Sequence, residues 1–230
     1  MDDALPRVLA ALAMLAGAAV LDWRSRRVAN LYWLPFLATA GILWAGDLLR
    51  HGPAEVWPWL AGALAACAVF YGMWWTGLFF GGGDAKALMV VALLAPYPAA
   101  GGLYPVADAL VNGLLVNLLL PLAILVVNLA RGRWAGAATF LAVPMPLAAA
   151  RRAKVWPAQV VDDEGAIRWR LLQRLDQDTE QAYVALRRAG VDPVWVTPQV
   201  PFVIPLTLGL AASLWWGNLA MRLAAWLLPL

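Results

Sequence analysis

Long apolar stretches recur along the whole chain, and they limit the possible folds more than any other feature of the sequence. A helix that crosses the hydrocarbon core of a bilayer needs roughly 20 largely apolar residues. Six stretches reach or approach this length, at about residues 5–21, 31–49, 57–80, 84–94, 105–129 and 202–228. The fourth is short, because Pro96 and Pro98 follow it. The sequence therefore predicts a polytopic α-helical membrane protein with six transmembrane helices and a lipid bilayer as its surroundings.

The composition agrees with a membrane protein and excludes several other classes. Hydrophobic residues make up 63% of the chain and charged residues 13%, whereas soluble domains contain about twice that share of charged residues. The net charge of +3 does not indicate nucleic-acid binding, because the basic residues follow the loops between spans and form no stripe. One cysteine and one histidine cannot build a disulfide framework or a Cys/His zinc site. We expect neither a metal nor a cofactor.

The positions of lysine and arginine predict how the chain is oriented. Threading six spans puts 14 of the 17 basic residues on one side, and only Arg7, Arg50 and Arg222 on the other. Cytoplasmic loops carry the excess of basic residues. We therefore expect the cell membrane as the location, with the basic side in the cytoplasm and both chain ends outside.

A polar segment precedes the last span. We expect transmembrane helices 1–5 in residues 1–133, an amphipathic connector and a small soluble α+β domain in 134–199, and helix 6 in 200–230. Within the soluble part, alternating apolar stretches flank Asp163, Glu164 and Gly165, which predicts a β-hairpin. Helical spacing follows over 173–190 with Gly190 as C-cap, and residues 194–197 favour a third strand. Because so few residues can form only a small core, we expect the insert to pack against the membrane domain.

Two acidic residues stand out among those near the spans. Asp47 and Asp108 lie near the outer ends of spans, where we interpret them as solvated. Asp22 and Asp84 both lie at the predicted cytoplasmic end, at one membrane depth. Ionisable groups at such positions are costly and usually functional. Two carboxylates close together share one proton, so one can act as general base on a water while the other hydrogen-bonds a carbonyl.

Three glycines, Gly81, Gly82 and Gly83, directly precede the second acid. They allow positive φ angles and the close approach of an extended substrate backbone. The alternative is that they only turn the chain between two spans while Asp84 caps the fourth helix.

Two motifs in this context resemble the type IV prepilin peptidases, and within them the archaeal preflagellin peptidases. Asp22-Trp23-Arg24, followed by Val28 and Asn30, resembles the family's stretch after its first span. GGGDAK, from Gly81 to Lys86, resembles its GxGD signature and following lysine. The six-span layout with a late soluble insert is also similar.

The resemblance implies an aspartyl endopeptidase with Asp22 and Asp84 as the catalytic pair and no metal. Its substrates would be prepilin or preflagellin precursors, cut at the cytoplasmic face just before their hydrophobic segment. Lys86, Asn30 and Arg24 are candidates for supporting the acids, although lysine and arginine also anchor membrane topology. Asn112, Asn117 and Asn128 in the fifth span are expected to hydrogen-bond between helices rather than to contact a substrate.

Other functions remain open at this stage. Presenilin and signal peptide peptidase share GxGD, but they have a tyrosine where Leu21 precedes Asp22, and a proline-alanine-leucine motif that the last span lacks. A proton-coupled transporter would place its acids near the midplane and show internal repeats, and no repeat is visible. An inactive scaffold for filament assembly would leave the two acids unexplained.

Overall fold

The computed structural model describes residues 4–78, 81–98, 103–170 and 179–228. Its helices are α1 (Ala4–Ser25), α2 (Asn30–His51), α3 (Pro53–Trp75), α4 (Gly82–Leu94), α5 (Pro105–Asn117), α6 (Leu119–Ala130), α7 (Ala138–Leu141), α8 (Leu147–Ala150), α9 (Thr179–Arg188), α10 (Val203–Trp216) and α11 (Leu219–Leu227). Its strands are β1 (Val143–Met145), β2 (Val155–Pro157), β3 (Gln159–Val161), β4 (Ile167–Trp169) and β5 (Val194–Pro198). The chain divides into two compact units, Met1–Asn117 with Pro201–Leu230, and Leu118–Val200.

The helical membrane fold is confirmed, whereas the number of spans is not. Among the described residues, four helical stretches are long and apolar enough to cross a membrane, namely α1, α2, α3 and Pro105–Ala130. The pair α10 and α11, bent by 58°, makes a fifth if it counts as one span. The predicted fourth span forms α4, which has only 13 residues. The last two residues of the predicted third span, 79–80, lie outside the described residues.

Helix α4 lies at the centre of the first unit. It packs against α1, α2, α3 and α5, and its alanine, leucine and valine side chains are buried on almost every face. A helix that is apolar all round belongs in a core. Because α4 is surrounded by protein, its neighbours determine its position more than lipid does.

Side chains from two neighbouring helices satisfy the carboxyl end of α4. Arg7 of α1 donates to the Leu94 carbonyl at 3.3 Å, and the Trp44 indole of α2 donates to the Leu93 carbonyl at 2.9 Å. The last carbonyls of a helix have no partner within it, and a cation is favourable at that end of the helix dipole. Arg7 and Trp44 therefore act as the cap of α4.

The arginine that caps α4 is itself paired. Its Nη2 lies 2.5 Å from Asp47 Oδ2, with both side chains almost fully buried, and the Tyr97 hydroxyl donates to the same oxygen at 2.6 Å. The interpretation of Asp47 as a solvated acid is therefore wrong. It is wrong for Asp108 too, because Asp108 is 1% exposed and accepts hydrogen bonds from Asn218 Nδ2 and the Leu103 amide.

Helices α5 and α10 approach each other closely where glycine faces glycine. A Cβ added to Gly209 would lie 2.3 Å from the Gly113 nitrogen and 2.7 Å from the Ala109 carbonyl oxygen. Small residues permit such contact between membrane helices. Asn112 beside them donates to the carbonyls of Gly209 and Gly217, which confirms its expected interhelical role.

The second unit contains the predicted small α+β insert. Strands β1, β5 and β2 form an antiparallel sheet in that order, and β5 is the predicted third strand. Behind the sheet, Tyr183 and Leu186 of α9 pack with Val194 and Val196. Helix α9 ends before Gly190, which has a φ of +71°. The part of the predicted helix over 173–178 lies outside the described residues.

The predicted hairpin is confirmed in β3 and β4, where Val161 pairs with Ile167. Strand β2, in the earlier part of the same apolar stretch, pairs with β5 instead. Gly165 supplies the positive φ of the turn, +83°, and Asp162 Oδ1 accepts from the amides of Ala166 and Glu164. The Ala166 amide and the Arg168 guanidinium hold the pKa of Asp162 below its usual value.

We expect Gly209→Ala to destabilise the first unit, because its methyl group would overlap backbone atoms of α5 that cannot move aside. Overpacking of this kind costs about 1–3 kcal/mol or more, measurable as a lower thermal unfolding midpoint in detergent. Gly41→Ala in α2 is the matched control, since a Cβ there has no neighbour within 4 Å. An unchanged midpoint for Gly209→Ala would contradict the packing of α5 on α10.

Removing one partner of the buried ion pair should cost far more than removing both. Arg7→Met leaves a buried carboxylate without its cation, and such a loss costs about 3–5 kcal/mol. The double variant Arg7→Met, Asp47→Leu should recover the part of that stability lost by the unpaired carboxylate, because apolar replacements of a buried pair are often tolerated, whereas the Leu94 carbonyl stays without its Arg7 donor. Thermal unfolding of the single and double variants in detergent tests the coupling, and additive losses would count against it.

Candidate active site

Asp22 lies in the last turn of α1 and is half-buried. The chain changes direction directly after it. The Arg26 amide donates to the Asp22 carbonyl at 2.9 Å, and Arg26 has a φ of +58°, in the left-handed region that side chains rarely adopt. Arg26 is also the cation that acts electrostatically on the Asp22 carboxylate. The turn thus ends α1 one residue after Arg24, which is exposed.

Asp84 is the third residue of α4 and only 8% exposed. The N-cap position belongs to Gly81, whose backbone is extended at φ −144° and ψ 141°. The alternative in which Asp84 caps the helix is therefore wrong. The expected positive φ angles are also wrong, because Gly81, Gly82 and Gly83 are absent from the positive-φ residues of the described chain.

The three glycines differ instead in how much free space surrounds each one. A Cβ on Gly81 would lie 3.4 Å from Asp84 Oδ2, and one on Gly82 would lie 3.4 Å from the Trp74 indole nitrogen. A Cβ on Gly83 would meet nothing within 4 Å. The backbone beside the carboxylate is thus uncovered at Gly83, and the approach of a substrate backbone there stays a prediction.

Asp22 and Asp84 lie at the same end of the first unit. Arg7, near the start of α1, contacts Leu94, the last residue of α4, so the two helices are antiparallel there. At 1.5 Å per residue, Asp22 lies about 22 Å beyond Arg7, and Asp84 about 15 Å from Leu94 in the same direction. The charge of Asp22 acts electrostatically on Asp84. The two carboxyl groups are therefore within interaction range.

A hydrogen bond between side chains connects the two motifs that contain the acids. Lys86 Nζ, two residues after Asp84, donates to Asn30 Oδ1 at 2.7 Å. Val28, in the loop after Asp22, packs against the main core. Lys86 is thus directed to Asn30, and the loop that follows Asp22 is held to the first turns of α4.

Two aromatic residues that contact the segments around the acids were not identified from the sequence. Trp74 packs over Gly82, and the Tyr32 hydroxyl donates to the Met14 carbonyl of α1 at 2.6 Å. In the sequence, the signal for Tyr32 was its position two residues after Asn30, which belongs to the first motif. Within the residues that the structure describes, no group of three or more His, Cys, Asp or Glu side chains is arranged to hold a metal ion.

Comparison with known proteins identifies the family. The model of the type IV leader peptidase family matches residues 9–129, a range that includes both aspartates. The preflagellin peptidase of Methanococcus maripaludis is 25% identical over 222 residues, which cover 87% of this chain and 90% of that protein. Since the family model matches more than half of the chain, the protein belongs to the type IV leader peptidase family.

Proposed function

We propose that the protein is an aspartyl endopeptidase that removes the leader peptide of prepilin or preflagellin precursors at the cytoplasmic face of the membrane. One observation carries the proposal: Asp22 and Asp84 come from distant parts of the chain, lie at the same end of antiparallel helices, and interact electrostatically. The family assignment supports a peptidase over a transporter. The similarity to a preflagellin peptidase supports the substrate class.

The chemistry follows from two carboxyl groups that share one proton. The ionised carboxylate takes a proton from a water molecule, whose oxygen attacks the scissile carbonyl carbon. The protonated carboxyl group donates to the carbonyl oxygen as it becomes negative. The intermediate then collapses, the C–N bond breaks, and the departing amine takes up a proton. Asp22, which is half-buried, and Asp84, which is 8% exposed, have the unequal surroundings that separate the two roles.

The substrate backbone would approach along the glycines before α4. Gly83 leaves space beside Asp84, and Gly81, at the N-cap position, has an extended backbone. A peptide in extended form can lie along such a segment with its carbonyl near the acids. Lys86 and Asn30 support this geometry by holding the first turns of α4 and α2 together.

The proposal includes six transmembrane segments, of which α4 is the short fourth one, and it places both ends of the chain outside the cell. The arginines that follow Asp22, at positions 24, 26 and 27, and Lys86, two residues after Asp84, support the cytoplasmic location of the acids. Residues 1–133 would form the first five passages, 134–199 the cytoplasmic connector and domain, and 200–230 the last passage.

Asp22→Asn and Asp84→Asn should each abolish cleavage of a purified preflagellin by the full-length protein in detergent. The expected loss is at least about a hundredfold, because an amide can neither accept the proton of water nor share one. Thermal midpoints should not fall, since each change removes a charge that is partly or fully buried. Asp163→Asn, which changes an exposed carboxylate of the second unit, is the control and should cleave normally. Full activity in either active-site variant would refute the mechanism.

Cysteine labelling tests the orientation. In a Cys67→Ala background, Ser25→Cys and Thr76→Cys should react with a membrane-impermeant maleimide only after the cells are permeabilised. His51→Cys, at the opposite ends of α2 and α3, should react in intact cells. Labelling of Ser25→Cys and Thr76→Cys on opposite sides would separate the two aspartates and end the proposal.

A further inference from the structure

A tight contact joins the middle of α1 to the first turn of α2. The Tyr32 hydroxyl of α2 donates to the Met14 carbonyl of α1 at 2.6 Å. A Cβ on Gly17 would lie 2.4 Å from that hydroxyl oxygen and 3.4 Å from the ring carbon that carries it. No side chain larger than hydrogen fits between α1 and the hydroxyl. Gly17 therefore forms the recess that receives Tyr32.

The tyrosine cannot easily turn out of this recess. Its ring packs edge-on against Trp33 at 5.2 Å and at a tilt against Phe36 at 5.4 Å. Trp33 is 3% exposed, and Tyr32 itself packs against the main core. Displacing the hydroxyl would therefore move α2 or α1 and not the ring alone.

This contact joins α1, which contains Asp22, to α2, which is hydrogen-bonded in turn to α4, the helix that contains Asp84. Gly17 precedes Asp22 by five residues on α1, about 7.5 Å along the helix. Tyr32 follows Asn30 by two residues, and Asn30 accepts the hydrogen bond of Lys86, two residues after Asp84. Two contacts thus connect the aspartates: Tyr32 joins α2 to α1 at Gly17, and Asn30, at the start of α2, accepts the hydrogen bond of Lys86 from α4.

We propose that Tyr32 is a positioning residue of the peptidase: its hydroxyl, seated on Gly17, sets the separation of Asp22 from Asp84. This inference rests on the proposed function of the two aspartates. Carboxyl groups on different helices share a proton and a water only at a defined separation, and a displacement near 1 Å can cost about a hundredfold in rate.

The geometry predicts that two harmful changes compensate each other. Gly17→Ala places a methyl group against the hydroxyl oxygen and forces α1 and α2 apart. Tyr32→Phe removes that oxygen, and the remaining ring carbon, at 3.4 Å from the new methyl, makes a contact that small shifts accommodate. The double variant should therefore resemble Tyr32→Phe, not Gly17→Ala.

The test measures preflagellin cleavage by full-length Gly17→Ala, Tyr32→Phe and the double variant in detergent. We expect kcat of Gly17→Ala to fall about tenfold to a hundredfold with KM changed less than about twofold, because the reacting groups and not substrate binding are displaced. The kcat of Tyr32→Phe should fall only a few-fold, and the double variant should recover most of the kcat that Gly17→Ala loses. Gly62→Ala in α3, where a Cβ has no neighbour within 4 Å, controls for alanine in a helix.

A second measurement reports geometry without catalysis. Asp22→Cys and Asp84→Cys in a Cys67→Ala background are crosslinked in membranes with bifunctional thiol reagents of graded length. Adding Gly17→Ala should shift the preferred reagent length, and adding Tyr32→Phe as well should restore it. Because crosslinking needs no catalysis, the result holds even if Asp22→Asn proves active and the proposed function fails.

Three results would overturn the inference. They are normal kcat in Gly17→Ala, a double variant as impaired as Gly17→Ala, or an equal loss in Gly62→Ala. If Gly17→Ala does not fold in detergent, Tyr32→Phe with the crosslinking pair decides: it should broaden the range of reagent lengths that react, and an unchanged range would refute the positioning role.

Discussion

The interaction of Arg7 with the carboxyl end of α4 is the constraint on which the first unit depends. Helix α4 lies at the centre of the apolar helices, and its last residue, Leu94, is fully buried, so its last carbonyls need donors from protein. Arg7 and Trp44 supply donors to them, and Asp47 with Tyr97 compensates the charge that this brings into the core. Since the same residues belong to α1, α2 and the segment after α4, capping one helix also fixes the arrangement of its neighbours. Because α4 is held at this end, the position of its opposite end, which contains Asp84, is also constrained.

The end that contains the two aspartates is held by contacts of a different kind. The Lys86 to Asn30 hydrogen bond joins the start of α4 to the start of α2, and Tyr32 joins α2 to α1 at Gly17. Small residues allow both the close helix approach and the uncovered backbone at Gly83. The resulting site combines a firmly held pair of helices with a backbone segment that has no side chains of its own. The proposed mechanism needs both, because it requires two aligned acids and the admission of an extended chain.

Particular residues explain where prediction from sequence succeeded. The hairpin at Gly165 was predictable, because alternation and turn chemistry are local, and the Asn112 hydrogen bonds followed from the cost of a polar group within a span. Asp47 was misread, because its partner Arg7 is distant in the chain. A usable signal existed: Arg7 lies three residues after the start of α1 and Asp47 four before the end of α2, so antiparallel packing brings them to one depth. The positive φ expected at Gly81 to Gly83 failed because these glycines begin a helix and do not form a turn.

The sequence by itself determined the membrane class, the small α+β insert, the acids worth considering and, through two motifs, the family. These properties rest on composition, local periodicity and residues adjacent in the chain. Only the tertiary structure decided that α4 is a buried 13-residue helix, that Arg7 and Asp47 are its anchor, and that Tyr32 fits the recess at Gly17. Such contacts depend on the angle and depth at which distant helices pack, and many sequences with the same apolar pattern would pack differently.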